Sequence, residues 1–213
     1  MKFEFLKKNS ENLVILNKEL LKTLEPQEDV LDFNVKYWLK TGKIISLKKG
    51  MYVLADAVQK IKSADKYLEY ISGQLVQPAY LSTEYVLAKY QILSEPVQAI
   101  TSVTTKKTQK FSNELGVFRY YSITEDLFTG YKIKQEGELV FAEADKSKAL
   151  FDFLYFRFLK ETDVDLVTID NLRINWENIT KSEFKKAETY LKLTNSRRLK
   201  KVFELIGKNW FQF

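Results

Sequence analysis

The chain contains neither cysteine nor histidine. Without cysteine there are no disulfides and no thiolate nucleophile, and without histidine there is no imidazole acid–base catalysis. Zinc sites built on these two residue types are excluded as well. These absences count against many classes of enzyme, although carboxylates, lysine, serine and tyrosine can still support catalysis.

Glycine is scarce, and long apolar runs are missing. Only seven glycines occur, in neither a GxGxxG nor a GxxxxGK[ST] pattern, so no loop that cradles a nucleotide is predicted. No apolar run reaches the length of about 18 residues typical of a membrane span, and the N-terminus lacks the pattern of a secretory signal. We therefore expect a folded cytoplasmic protein, since 45% of the residues are apolar and 14% are aromatic.

The net charge of +6 is unevenly distributed along the chain. Residues 1–54 carry +3 and residues 181–213 carry +6, whereas residues 55–180 carry −3. Basic ends around a slightly acidic middle indicate an acidic partner, with nucleic acid as the first candidate. The alternative is an ordinary lysine-rich surface, and charge alone leaves the two open.

The first 54 residues predict three helices followed by a hairpin. Asn17 can cap the second helix, and Gly42 can end the third in a left-handed conformation. An apolar stripe at i, i+4, i+7 and i+8 of the third helix is formed by Leu31, Val35, Trp38 and Leu39. Two β-prone runs, 44–47 and 51–54, then flank Lys48-Lys49-Gly50, in which Gly50 suits a positive φ. This order predicts a winged helix-turn-helix.

The outer face of the third helix and the hairpin tip carry residue types that contact DNA. Lysine binds phosphates, asparagine can bond bidentately to adenine, and tyrosine offers a hydroxyl and an apolar ring. Phe33 and Thr41 share the helix face. The predicted DNA-binding residues are Asn34, Lys36, Tyr37, Lys40, Lys43, Lys48 and Lys49. The alternative is a solvated helix face and a solubilising turn.

Residues 59–213 predict a mixture of strands and helices. Strands are expected at 97–104 and 117–123, with a hairpin at 131–144. Helices are expected near Ser63, after a cap at Ser82 or Thr83, and after a cap at Asp145. Two more follow a capping box at 180–183 and a cap at 195–196. The whole chain therefore predicts an α+β protein, with domains at 1–58 and 59–213.

A series of short motifs between residues 10 and 160 resembles the AbiEi family, the antitoxins and related regulators of type IV toxin–antitoxin systems. The matching positions are Pro78, Tyr80, Ser82, Thr101, Thr104, Thr105, Gly116, Phe118, Tyr120, Gly130, Tyr131, Lys148, Ala149, Leu150 and Asp152. The family's Pro-Glu before the last motif is Lys146-Ser147 here. The specificity of the resemblance lies in the order of the motifs, since each motif is short.

The resemblance implies a function in phage defence by abortive infection. It implies a repressor that binds inverted repeats of double-stranded DNA in its own promoter through a winged helix-turn-helix. It also implies a second domain that counteracts a nucleotidyltransferase-like toxin, and whether this involves direct contact stays open. No enzymatic activity, cofactor, metal or membrane partner is expected, and the oligomeric state stays open between a monomer and a weak dimer.

Two further sets of charged residues have competing interpretations. Lys106, Lys107, Lys110 and Arg119 predict either a basic patch or a solvated loop. Arg197 and Arg198, with Lys200 and Lys201, predict a basic outer face of the last helix, which contacts nucleic acid, the toxin or its RNA target, or only water.

Two alternative functions stay open. In one, the chain is an antitoxin or interaction protein whose winged helix is vestigial. In the other, Asp163 and Asp165 hold Mg²⁺ in a nuclease or nucleotidyltransferase. The D-x-D pair lacks the Gly-Ser that would hold a triphosphate, which favours a charge pair at a loop or helix end.

Overall fold

A computed structural model describes residues 1–10, 15–59, 61, 63–159 and 164–212 of the chain. The chain divides into two compact units, one of Met1–Tyr67 with Phe111–Gly116 and one of Leu68–Lys110 with Val117–Phe213. Each unit contains helices and strands, which confirms the predicted α+β class.

The first unit places short strands between helices. Its elements are α1 (Phe3–Asn9), β1 (Leu16–Asn17), α2 (Lys18–Leu24), α3 (Glu28–Lys40), β2 (Ile44–Lys48), β3 (Met51–Leu54) and α4 (Ala55–Gln59). The three strands form an antiparallel sheet in the order β1-β3-β2. Strand β1 has only two residues, and the sequence pattern does not predict it.

Local signals in the sequence explain the helices of this unit. The Asn17 side chain accepts a hydrogen bond of 2.8 Å from the Leu20 backbone N–H, so it caps α2 as predicted. On α3, Leu31, Val35 and Trp38 of the predicted apolar stripe are buried, and Leu39 is partly buried against the same core. Each such side chain contributes about 1.5–3 kcal/mol by leaving water. Gly42 has a φ of +65° beyond the end of α3, as predicted.

The second unit combines a mixed sheet with helices. The elements that follow α4 are α5 (Ala64–Leu75), β4 (Ala79–Leu81), α6 (Thr83–Lys89), β5 (Ala99–Thr104), β6 (Gln109–Asn113), β7 (Gly116–Ser122), β8 (Tyr131–Glu136), β9 (Leu139–Ala144), α7 (Lys146–Phe158), α8 (Leu166–Asp170), α9 (Lys181–Thr189) and α10 (Arg197–Ile206). The boundaries between the units fall within α5, β6 and β7, and the other elements of this series belong to the second unit. Short 3₁₀ turns lie at Glu125–Leu127, Trp176–Asn178 and Tyr190–Leu193, and a π-turn lies at Gly207–Phe211.

The six-stranded sheet has the order β6-β7-β5-β4-β9-β8. Strand β4 pairs antiparallel with β5 and parallel with β9, and β5 pairs parallel with β7. Strands β8 and β9 form the predicted antiparallel hairpin. Strand β5 is buried along its whole length, so it lies at the centre of the core.

Three predicted caps begin helices of the second unit. Asp145 accepts a hydrogen bond of 2.9 Å from the Lys148 backbone and begins α7. Thr180 and Glu183 form the complete capping box of α9. Ser196 accepts from the Leu199 backbone and begins α10.

The start of α6 differs from the prediction of a cap by Ser82 or Thr83. Ser82 occupies the cap position, but its hydroxyl donates to the Asp152 carboxylate at 2.8 Å. The Tyr85 backbone N–H instead donates to the Thr101 hydroxyl on β5 at 3.0 Å. The helix is therefore capped by a neighbouring strand, a partner that local sequence does not reveal.

None of the helices in the described part of the chain combines the length and the apolar character that crossing a membrane requires.

Candidate functional site

The exposed face of α3 is the most distinctive surface of the first unit. Because Leu31, Val35 and Trp38 face the core, the side chains on the opposite side of the helix point to solvent. Phe33 is 71% exposed and Tyr37 is 49% exposed. These two rings are accompanied by two exposed cations of the same helix, Lys36 and Lys40.

Two lysines of α2 are neutralised by an acidic residue of α3. Lys18 and Lys22 lie 3.2 Å and 3.1 Å from the Glu28 carboxylate. The hydrogen bond to Glu28 raises the pKa of Lys18, and Lys22 and Lys18 together hold the pKa of Glu28 below its ordinary value. Lys18 is also 3.9 Å from Asp32. Of the two acidic residues in the first turn of α3, Glu28 is therefore neutralised within the unit, whereas Asp29 has no ion pair with any described residue.

Lys36, Lys40 and Lys49 have no ion pair with any described residue. All three are exposed. Lys36 and Lys49 line one groove of about 280 Å³ between α2, α3 and the β2–β3 turn, although they are 13 positions apart in sequence. Cations without a partner at the edge of a groove can bind an anionic ligand without first breaking an ion pair.

The β2–β3 turn has the predicted left-handed glycine. Gly50 has a φ of +76°, and its carbonyl accepts a hydrogen bond of 2.9 Å from the Lys18 backbone. The pairing register shifts between Ser46 and Lys48, so the turn carries a bulge. The ladder and this backbone bond hold the exposed Lys49 beside α2.

Two of the predicted DNA-binding lysines lie over aromatic rings. The Lys43 ammonium is 4.9 Å from the centroid of Phe3 and 5.7 Å from that of Tyr37. The Lys48 ammonium is 6.0 Å from the centroid of Phe111. Cation–π contacts of this kind restrict where each charge points. Sequence spacing cannot predict the contacts with Phe3 and Phe111, because the partners are far apart in the chain.

Asn34 is only partly exposed. Its Nδ2 atom is buried and has no hydrogen-bond partner in the described structure. A buried donor without an acceptor costs about 1–3 kcal/mol. Before Asn34 could bond to an adenine, its side chain would have to turn outward.

The predicted basic residues of the second unit lie in different settings. Lys106, Lys107, Lys110, Arg119 and Arg197 are exposed. Arg198 donates hydrogen bonds of 3.3 Å and 3.1 Å to the carbonyls of Phe158 and Leu159, so it satisfies the end of α7.

The D-x-D pair has only one member that can be placed, because Asp163 lies outside the described residues. Asp165 caps α8 by accepting a hydrogen bond of 2.8 Å from the Thr168 backbone, which holds its pKa below the ordinary value. Among the residues that the structure describes, no three acidic side chains come together in a way that could hold a metal ion.

The motif residues of the second unit meet in a buried polar cluster that we call the Lys148–Asp152 cluster, formed by Tyr80, Ser82, Lys148 and Asp152. The Lys148 ammonium lies 2.6 Å from one carboxylate oxygen of Asp152. The hydroxyls of Tyr80 and Ser82 donate to the other oxygen at 2.9 Å and 2.8 Å. Lys148 also donates to the Leu127 carbonyl at 2.8 Å. The cluster thus joins β4 to α7.

Burial governs the ionisation of this cluster. Lys148 and Asp152 are both 0% exposed. Burial raises the pKa of Asp152 and lowers the pKa of Lys148, because both charged forms lose hydration, while the ion pair opposes both shifts. Burial and the nearby Asp152 charge raise the pKa of Tyr80, so its hydroxyl stays protonated and donates. With no solvent access, the cluster supports the fold rather than meeting a substrate.

No protein-family model matches the chain, and no curated protein matches it.

Proposed function

We propose that the chain is a DNA-binding transcriptional regulator that contacts DNA through α3 and the β2–β3 turn. The observation that carries this proposal is the set of exposed lysines without ion pairs among the described residues, Lys36, Lys40 and Lys49, beside the exposed rings of α3. Surfaces that bind DNA need free cations for phosphates and side chains that reach base edges.

The order of elements supports the same proposal. Helix α1, strand β1, helices α2 and α3, and the β2–β3 hairpin follow one another along the chain, and the sheet order is β1-β3-β2. A winged helix-turn-helix has this arrangement, with the last helix as the recognition helix and the hairpin as the wing. In that assignment α3 enters the major groove and Lys49 approaches the sugar–phosphate backbone.

The resemblance to AbiEi antitoxins extends the proposal. In that interpretation the regulator represses its own promoter in the cytoplasm, binds inverted repeats as one or two copies, and counteracts a nucleotidyltransferase-like toxin. The convergence of the resembling positions Tyr80, Ser82, Lys148 and Asp152 on one buried cluster supports their importance as a structural unit. Protection of cells that co-express such a toxin with the full chain tests this part separately.

The experiment that tests DNA binding compares two duplexes of equal length, the chain's own upstream DNA and an unrelated fragment. Binding is measured at about 50 mM and about 200 mM salt. We expect a preference for the upstream DNA and a steep loss of affinity as salt rises, because phosphate contacts release counterions. Equal and weak binding to both fragments would contradict the proposal.

A further inference from the structure

Core packing does not explain why α3 carries an aromatic residue at position 33. Its ring is 71% exposed, although it lies near the middle of a helix whose inner face is already filled by Leu31, Val35 and Trp38. A single exposed apolar side chain is common on protein surfaces. Phe33 differs because Tyr37, also exposed, lies one turn further along the same face.

One exposed carboxylate, Asp29, lies four positions before Phe33, and two cations follow Phe33 on its side of the helix. Lys36 and Lys40 lie three and seven positions after Phe33, so they share its side of the helix. Both are exposed, and neither forms an ion pair within the described residues. An apolar ring followed by two cations without ion pairs fits a polyanionic ligand that also presents an apolar group to the ring.

The major groove of DNA provides such a combination. Phosphates line its edges, and among the major-groove edges of the four bases only thymine presents an apolar group, the methyl at C5. Phenylalanine contacts this methyl without forming any hydrogen bond. A lysine on either of the next two turns of the helix can then bind the phosphate backbone.

We propose that Phe33 is a specificity-determining residue that packs against thymine methyl groups in the major groove. This inference rests on the proposed DNA-binding function. It predicts that tight binding requires thymine at the base pairs that face the middle of α3. Tyr37 contributes its ring to the same apolar surface.

The test replaces thymine by uracil in the upstream duplex that the wild-type protein binds. Uracil keeps the O4 acceptor and the pairing to adenine, and it lacks only the methyl group. We expect the affinity of the wild-type protein to fall by about fourfold for each methyl group that Phe33 covers. The thymine duplex, the uracil duplex and an unrelated duplex are compared at one salt concentration.

Two variants of the full chain assign the effect to Phe33. We expect Phe33→Ala to bind the thymine duplex more weakly than the wild type does and to show a smaller ratio of affinities between the thymine and uracil duplexes. The matched control is Phe5→Ala, since Phe5 is 51% exposed but lies on α1. This control should keep the wild-type ratio between the duplexes.

The outcomes separate this inference from the proposed function. If the wild type prefers its upstream DNA but binds the thymine and uracil duplexes equally, the inference on Phe33 is overturned and DNA binding stands. If Phe33→Ala keeps the wild-type ratio, the methyl effect arises elsewhere and the inference is also overturned. If the wild type binds all three duplexes equally, the proposed function itself fails.

Discussion

At the scale of single residues, Lys148 and Asp152 depend on each other because neither can reach water. Their ion pair of 2.6 Å is completed by hydroxyl donors to Asp152 and a carbonyl acceptor for Lys148. An ion pair of this kind gains little over an apolar pair, but removing one partner leaves a buried charge uncompensated.

We expect Asp152→Asn to lower the free energy of unfolding by about 3 kcal/mol at neutral pH, because Lys148 loses its counter-charge. The double variant Lys148→Met with Asp152→Asn should recover part of this loss. The control is Lys186→Met, whose ion pair with Asp145 is exposed and should contribute less than about 1 kcal/mol. Urea denaturation measures all three, and equal losses in the single and double variants would contradict this dependence.

The pH dependence of Asp152→Asn gives a further check on the same residue. Burial lowers the pKa of Lys148 from 10.5, and the variant removes the charge that opposes this shift. The unfolded chain then binds a proton that the folded chain binds less readily, so stability should rise as the pH is raised from 7 towards 10.5. Urea denaturation across this range measures the effect, and a flat or falling profile would argue against it.

At the scale of elements, Gly130 allows the turn before β8 to lie close to α7. Its φ is +79°, and a Cβ atom there would lie 2.9 Å from the Lys148 Cγ and closer still to the Tyr190 hydroxyl. Gly137, in the β8–β9 turn, has a φ of +61° but nothing within 4 Å of such an atom.

These two glycines form a matched pair for mutagenesis. Gly137→Ala should cost about 1–2 kcal/mol, the penalty of a left-handed alanine. Gly130→Ala should cost clearly more, because the clash with Lys148 and Tyr190 is added to the same backbone penalty. Thermal unfolding of the two variants measures the difference, and equal losses would show that the close approach carries no energetic weight.

Local signals make much of the secondary structure predictable. The caps at Asn17, Asp145 and Ser196 are predictable because each acts on a backbone N–H three residues away. The strand β1 is not, because a two-residue strand is defined by its partner β3 rather than by its own pattern. The cap of α6 by Thr101 escapes prediction for the same reason.

The residue types of the candidate interface can be predicted from the sequence, but the ion pairs and cation–π contacts of its lysines cannot. Helical periodicity places Lys36 and Lys40 on the outer face. It does not show that Lys18 is paired with Glu28, or that Lys43 lies over Phe3. These contacts join elements that are apart in the sequence and form only when the chain folds.

At the scale of the whole molecule, exposed cations occur on both units, and those of α3 lie beside exposed rings. On the first unit, Lys36 and Lys40 share α3 with Phe33 and Tyr37, and none of its three lysines on α3 and the β2–β3 turn has an ion pair with a described residue. The second unit holds its motif residues in a buried cluster. We therefore assign the proposed DNA binding to the first unit and expect the Lys148–Asp152 cluster to support the fold of the second.

The most direct test of this assignment is the salt dependence of binding to the upstream DNA by two charge-matched double variants. We expect Lys36→Ala with Lys49→Ala to weaken binding and to reduce the slope of log affinity against log salt by about 2, since each lysine neutralises one phosphate. The control, Lys132→Ala with Lys192→Ala, removes two exposed lysines of the second unit and should keep the wild-type slope. Equal slopes for the two double variants would contradict the assignment, because the lysines of α3 and the β2–β3 turn would then act only through net charge.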